Sequence, residues 1–242
     1  MLSDLSHHLA AQHAPLRAAL AELVRIPSVG DEGAGGYPFG PAVDQALRKA
    51  LEIADDLGFR THYGAGGYYG YAEIGSGAEM VGVLGHLDVV PPGKLEDWAH
   101  GPFDPVEADG RLYGRGTQDD KGPLLAALFA AKALLDAGVA FNKRVRFIFG
   151  TDEETLWRCI NRYKEREELP GMGFSPDSRF PVTFAEKGLL QCCLTGSNES
   201  AVRLAGGSAF NAVPDSICYE GERLDDLADK LAELGYSHTR LP

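Results

Sequence analysis

One histidine and a set of carboxylates sit in this chain at the ends of apolar runs and in glycine-rich turns. His86 and Asp88 stand in G-H-L-D-V-V-P, and Asp119 and Asp120 in D-G-R-L-Y-G-R-G-T-Q-D-D-K-G. Glu153 and Glu154 stand in G-T-D-E-E, and Asp177 in F-S-P-D. An imidazole with several carboxylates and no patterned cysteine is the donor set of a hard-to-borderline divalent metal such as zinc. Two adjacent glutamates let one bind metal while the other handles protons. The chemistry these residues suit is metal-assisted hydrolysis.

Each residue also has a plainer reading. His86 stands apart from His7, His8, His13, His62, His100 and His238, which are read as surface or core residues. Its Asp88 neighbour, two positions on, suits a carboxylate that orients the imidazole. Asp119 alone would pass for a turn residue between Gly116 and Gly122. Glu153 and Glu154 could be first-turn carboxylates favoured by a helix dipole. Two acids crowded at a strand end are nevertheless costly unless a cation sits there. Asp177, after Pro176, could cap a helix or close a turn, and is the weakest of the set on physics alone.

The elements that must position these groups are legible from periodicity. Leu5 to Val24 reads as an amphipathic helix ended by Pro27, and Pro41 to Leu57 as a second with Gly58 at its C-cap. Strands are expected over Phe59–Tyr63, Tyr68–Ile74 and Met80–Leu84. A helix follows over Gly122–Ala137, then a short apolar strand over Val145–Phe149, then a helix over Thr155–Glu168. Strand, crossover helix and strand imply a parallel or mixed sheet covered by helices. Ligands then gather beyond the carboxyl ends of the strands, which brings His86 and Asp88 to Glu153 and Glu154. After Pro181 an extended strand is expected over Val182–Thr195 and an amphipathic helix over Leu224–Leu234. The domain boundary is placed near Glu186, giving 1–185 and 186–242.

The chain has 242 residues, a formal net charge of −12 and 44% hydrophobic residues, enough to bury a sizeable core. The acidic balance argues against nucleic-acid or anionic-membrane partners. No apolar run reaches the roughly 18–20 residues of a membrane span, and no basic lead precedes an apolar core as in a secretory signal. Cys159, Cys192, Cys193 and Cys218 form no metal-binding or disulfide pattern, and a reducing cytoplasm is the expected compartment.

The motifs H-L-D-V-V-P, D-G-R-L-Y-G-R-G-T-x-D-D-K-G, G-T-D-E-E and F-x-P-D together resemble the co-catalytic zinc peptidases of family M20. That family includes aminoacylase, carnosinase and succinyl-diaminopimelate desuccinylase. The words W-R-C-I-N-R-Y-K and A-E-K-G look closest to its dipeptidase V branch. The resemblance implies an α/β fold, a helix-covered mixed sheet of zinc-peptidase type, with the start of an inserted α+β lid domain. It implies two zinc ions, with cobalt or manganese as substitutes, bridged by Asp119. His86 and Asp177 would hold one ion and Glu154 the other. Glu153 would be the general base, Asp88 the carboxylate orienting His86, and Asn211 a substrate-binding residue near the scissile carbonyl. The Asp119–Asp120 peptide bond would be cis. Family members run well beyond this length and draw a last histidine ligand from the later part. The chain is therefore expected to be an N-terminal portion of a dipeptidase, with 186–242 an incomplete lid through which it self-associates. The substrate expected is a dipeptide or an acyl amino acid. The alternatives are an N-acyl-amino-acid deacylase or desuccinylase, and a non-catalytic truncated relic.

Overall fold

The computed structural model describes residues 2–188, 190, 202–207 and 216–240. Two compact units arise, Met1–Phe184 and Ala185–Pro242. In the first, the Ala- and Leu-rich start of the chain forms α1 (Leu2–Val24), which tolerates Pro15 inside it. Pro41 opens α2 (Pro41–Asp56), where its missing N–H costs nothing. Three strands follow: β1 (Arg60–Gly64), β2 (Tyr69–Ile74) and β3 (Met80–His86). A short hairpin, β4 (Val106–Ala108) and β5 (Arg111–Tyr113), precedes α3 (Lys121–Asp136). The remainder is β6 (Arg144–Gly150), α4 (Arg158–Arg166) and β7 (Met172–Phe174).

Five of these strands make one mixed sheet in the order β1-β2-β6-β3-β7. The first three strands in that order pair antiparallel, whereas β6, β3 and β7 run parallel. Alternation along β6 sorts its side chains between the two faces. Phe147 and Phe149 pack with Leu47, Leu124 and Leu128 in the main core under α1, α2 and α3. Ile148 points the other way, to Tyr69 and to Tyr163 of α4. The expectation of an apolar strand over Val145–Phe149 needs correcting at one position. Arg146 lies in its middle, 6% exposed, and is neutralised by Glu73, its register partner on β2.

Lys121, fully buried, ties the start of α3 to the end of α1. Its Nζ donates to the carbonyl oxygens of Leu23 and Ile26, both at 2.9 Å, and so adds a second donor to carbonyls that also accept the backbone N–H groups of Ile26 and Ser28 where α1 stops. Burial lowers the Lys121 pKa to about 7.

The second unit contains β8 (Arg203–Gly206), β9 (Ile217–Glu220) and α5 (Leu224–Glu233), with β8 and β9 antiparallel. The strand expected over Val182–Thr195 is not present over 182–188 or at Leu190. Val182, Phe184 and Leu190 are 75%, 96% and 84% exposed there, so the segment's β-propensity meets no ladder to pair with. The rest of that span lies outside the described residues. No helix among the described residues is long and apolar enough to cross a membrane.

Candidate metal centre

Three parallel strands end on the same side of the sheet, and the acidic residues follow those ends. His86 closes β3 opposite Gly150, the last residue of β6. Leu87 N–H donates to the Gly150 carbonyl at 3.0 Å, so the two strand ends stay in register as they turn into loops. Glu153 and Glu154 stand three and four residues past β6, and Asp177 three residues past β7. Asp119 and Asp120 lead into α3, joined by a cis peptide bond. Gly85 permits this approach: a Cβ there would meet the Asp120 carboxylate at 2.5 Å and Leu124 at 2.8 Å.

The imidazole of His86 is 2% exposed and points Nε2 at three carboxylates. Asp119 Oδ1 lies 3.0 Å away, Asp177 Oδ2 3.4 Å and Glu153 Oε2 3.8 Å. On the other side, Nδ1 donates to the main-chain carbonyl of Asp88 at 2.9 Å. A carbonyl only accepts, so Nδ1 carries the proton and Nε2 is the ring atom left for the cluster. The Asp88 carboxylate is 3.6 Å from Nδ1 and does other work. Its two oxygens accept the backbone N–H groups of Glu153 at 3.2 Å and Glu154 at 3.0 Å. Asp88 thus orients the imidazole with its carbonyl and the two glutamates with its side chain.

Two ligand groupings result, His86–Asp119–Asp177 and His86–Glu153–Glu154, each with its donor atoms within 4.8 Å of one another. Electrostatics tests whether a cation belongs there. Burial would lower the His86 pKa, but Asp119, Asp177 and Asp88 raise it well above the usual histidine range. Burial pushes Glu153 up to about 7; His86 opposes this, while Glu154, Asp177 and Asp88 reinforce it. Asp120, whose carboxylate accepts His86 N–H at 3.2 Å, is likewise raised by burial to about 7. A proton-held cluster of this kind is what a set of oxygen and imidazole donors becomes when no divalent charge offsets it. The residues fit a divalent cation.

The structure therefore brings together His86, Asp88, Asp119, Glu153, Glu154 and Asp177. Asn211 lies outside the described residues. Asp152 was not singled out from sequence, although it organises the loop. Its carboxylate, 3% exposed, receives Arg158 N–H at 2.9 Å, Nε at 2.8 Å and Nη2 at 2.7 Å, together with the Thr155 hydroxyl. Its partners all follow within six residues, the local mark of a turn built by a side chain. Lys121 was equally hidden, because its partners, the Leu23 and Ile26 carbonyls, come from a distant segment.

The chain is similar to several known proteins. Residues 82–191 match the family described as Peptidase family M20/M25/M40. “Putative dipeptidase YtjP” of Bacillus subtilis is 40% identical over 225 residues, 88% of this chain and 48% of that protein. The crystal structure of human carnosine dipeptidase 1 superposes with a TM-score of 0.56 at 26% identity, over 68% of this chain and 38% of the other. An M20 family metallo-carboxypeptidase, Sso-CP2 from Sulfolobus solfataricus, gives a TM-score of 0.56 at 25% identity, over 66% and 37%. The chain spans about half the length of the curated relatives it matches.

Proposed function

Because the chain belongs to peptidase family M20/M25/M40, we propose that its protein hydrolyses dipeptides or similar short amides with the help of two divalent cations, zinc in the first place and cobalt or manganese as substitutes. The observation that carries this reading is the convergence of Asp119, Asp177 and Glu153 on His86 Nε2, at 3.0, 3.4 and 3.8 Å. His86 and Asp177 would hold one cation, Glu154 the other, and Asp119 both. Such a pair supplies Lewis acidity toward the amide carbonyl and toward water.

The chain's own residues do the rest. Glu153, 26% exposed at the mouth of the cluster, takes a proton from the attacking water and returns it to the leaving amine. Asp88 fixes the imidazole and the Glu153–Glu154 backbone in one piece. Asn211 is assigned to the substrate carbonyl on its motif alone. Deacylation of N-acyl amino acids uses the same groups, so a panel of dipeptides against N-acyl amino acids on the full-length protein separates the two readings. In that protein, Glu153→Ala should remove nearly all turnover and leave the metal content near normal. Retained turnover would refute the assignment.

A further inference from the structure

We propose that Trp157 is a specificity-determining residue, its indole being the wall on which an apolar side chain of the substrate rests beside the scissile amide. The inference deepens the peptidase reading and rests on it. A small cleft beside the cluster is lined by His86, Glu153 and Asp177 together with Trp157, Cys159 and Ile160. Its free volume is about 10 Å³, room for about one water. A side chain larger than a water does not fit in it, whereas the indole of Trp157 keeps an open outer face. Trp157 is 41% exposed, whereas Tyr69 and Tyr163 of the nearby core are 1% and 2% exposed.

The placement of this ring is enforced. Trp157 adopts φ 56° and ψ 25°, a left-handed conformation that a bulky side chain disfavours. Asp152 holds it there: its carbonyl accepts Trp157 N–H at 2.8 Å, while its carboxylate accepts Arg158 N–H at 2.9 Å. The Arg158 guanidinium is held in turn by Glu32 at 2.6 Å and lies 5.0 Å from the Phe39 ring centre. Strained backbone braced from several sides is characteristic of residues that clamp ligands. Only three residues separate Trp157 from Glu153, so the proton carrier and the indole stand on one loop. With Glu153 and Asp177 at the same mouth, an acidic side chain is repelled and a neutral apolar one favoured.

The chain has two tryptophans, so Trp98→Phe leaves Trp157 as the only indole. That variant, loaded with zinc, is titrated with Leu-Gly, Phe-Gly, Gly-Gly and Glu-Gly, and in parallel with N-acetylleucine and N-acetylglycine. We expect Leu-Gly and Phe-Gly to change the Trp157 emission saturably, and to bind about tenfold more tightly than Gly-Gly. Trp157→Ala should erase that margin in calorimetry, and Trp157→Phe should restore most of it. Dipeptides that bind while Trp157 stays silent, or a Trp157→Ala loss equal for Gly-Gly and Leu-Gly, would overturn the inference and leave the peptidase reading standing. Binding of N-acetylleucine alone, reported by Trp157, would keep the inference and replace the dipeptide with an acyl amino acid. No response to either class would overturn the inference.

Discussion

The Asp88 carboxylate is 3% exposed and accepts one backbone N–H on each oxygen, from Glu153 and from Glu154. An amide in its place would set a donor against one of those donors in a site closed to water. Asp88→Asn should therefore loosen the two glutamates and weaken zinc binding by about 10–100-fold, the usual cost of losing a group that braces metal ligands. Competition with a chromogenic chelator measures this, with circular dichroism as the check on folding. An unchanged affinity would remove Asp88 from the site. At this scale residue type and spacing pointed to groups that the structure brings together, His86 with Asp119, Asp177, Glu153 and Glu154. What they could not reveal is which part of Asp88 does what. H-x-D suggested carboxylate against imidazole, whereas the carbonyl is the nearer partner, at 2.9 Å against 3.6 Å.

The positions of β1, β2, β3 and β6 were legible to within one or two residues, whereas the strand expected over Val182–Thr195 is not present over its described residues. β7 and the β4–β5 hairpin, three residues per strand, were too short to show a period. The hairpin did carry its turn signal: Asp109 and Gly110 both adopt positive φ, 51° and 73°, as a two-residue loop requires. The polar pair inside the sheet was illegible for another reason, since register alone sets Glu73 opposite Arg146. Arg146 donates to Glu73 through Nε at 2.8 Å and Nη2 at 2.7 Å, and its guanidinium lies 4.0 Å from the Tyr71 ring centre. Glu73→Leu would leave that guanidinium buried without its main counter-charge, at a cost of about 3–5 kcal/mol. Urea unfolding should show the loss, and adding Arg146→Leu should recover much of it. A single variant as stable as the parent would sink this account. On α4, burial pushes the Cys159 thiol up to about 12. The protonated thiol is favoured in the fold, so its contribution is complete below the unfolded value of 9.0 and fades as pH rises toward 12. Peptide mapping after alkylation at pH 8 should find exposed Cys218 modified and Cys159 spared; equal labelling would contradict its burial.

At the scale of the whole molecule the two units differ in what holds them. The first buries a continuous core under three helices. Among the described residues the second offers a two-stranded sheet and one helix, and α5 buries none of them. A lone two-stranded sheet is marginal in water unless something covers its apolar face. Register puts Leu204 opposite Tyr219 and Ile217 opposite Gly206, so Leu204 and Ile217 share one face, and they are 70% and 64% exposed. Leu234 and Tyr236, just past α5, are 59% and 66% exposed. Exposed apolar surface on a sheet that has two strands among the described residues favours pairing with another chain. The 242-residue chain on its own should therefore associate as its concentration rises, with sedimentation velocity showing a growing share of dimer and larger species. Leu204→Lys together with Ile217→Lys charges that face, changes no residue of the first unit and should return the chain to a monomer. If the unmodified chain sediments as a monomer across the whole concentration series, the exposed face of β8 and β9 is not the adhesive surface argued for.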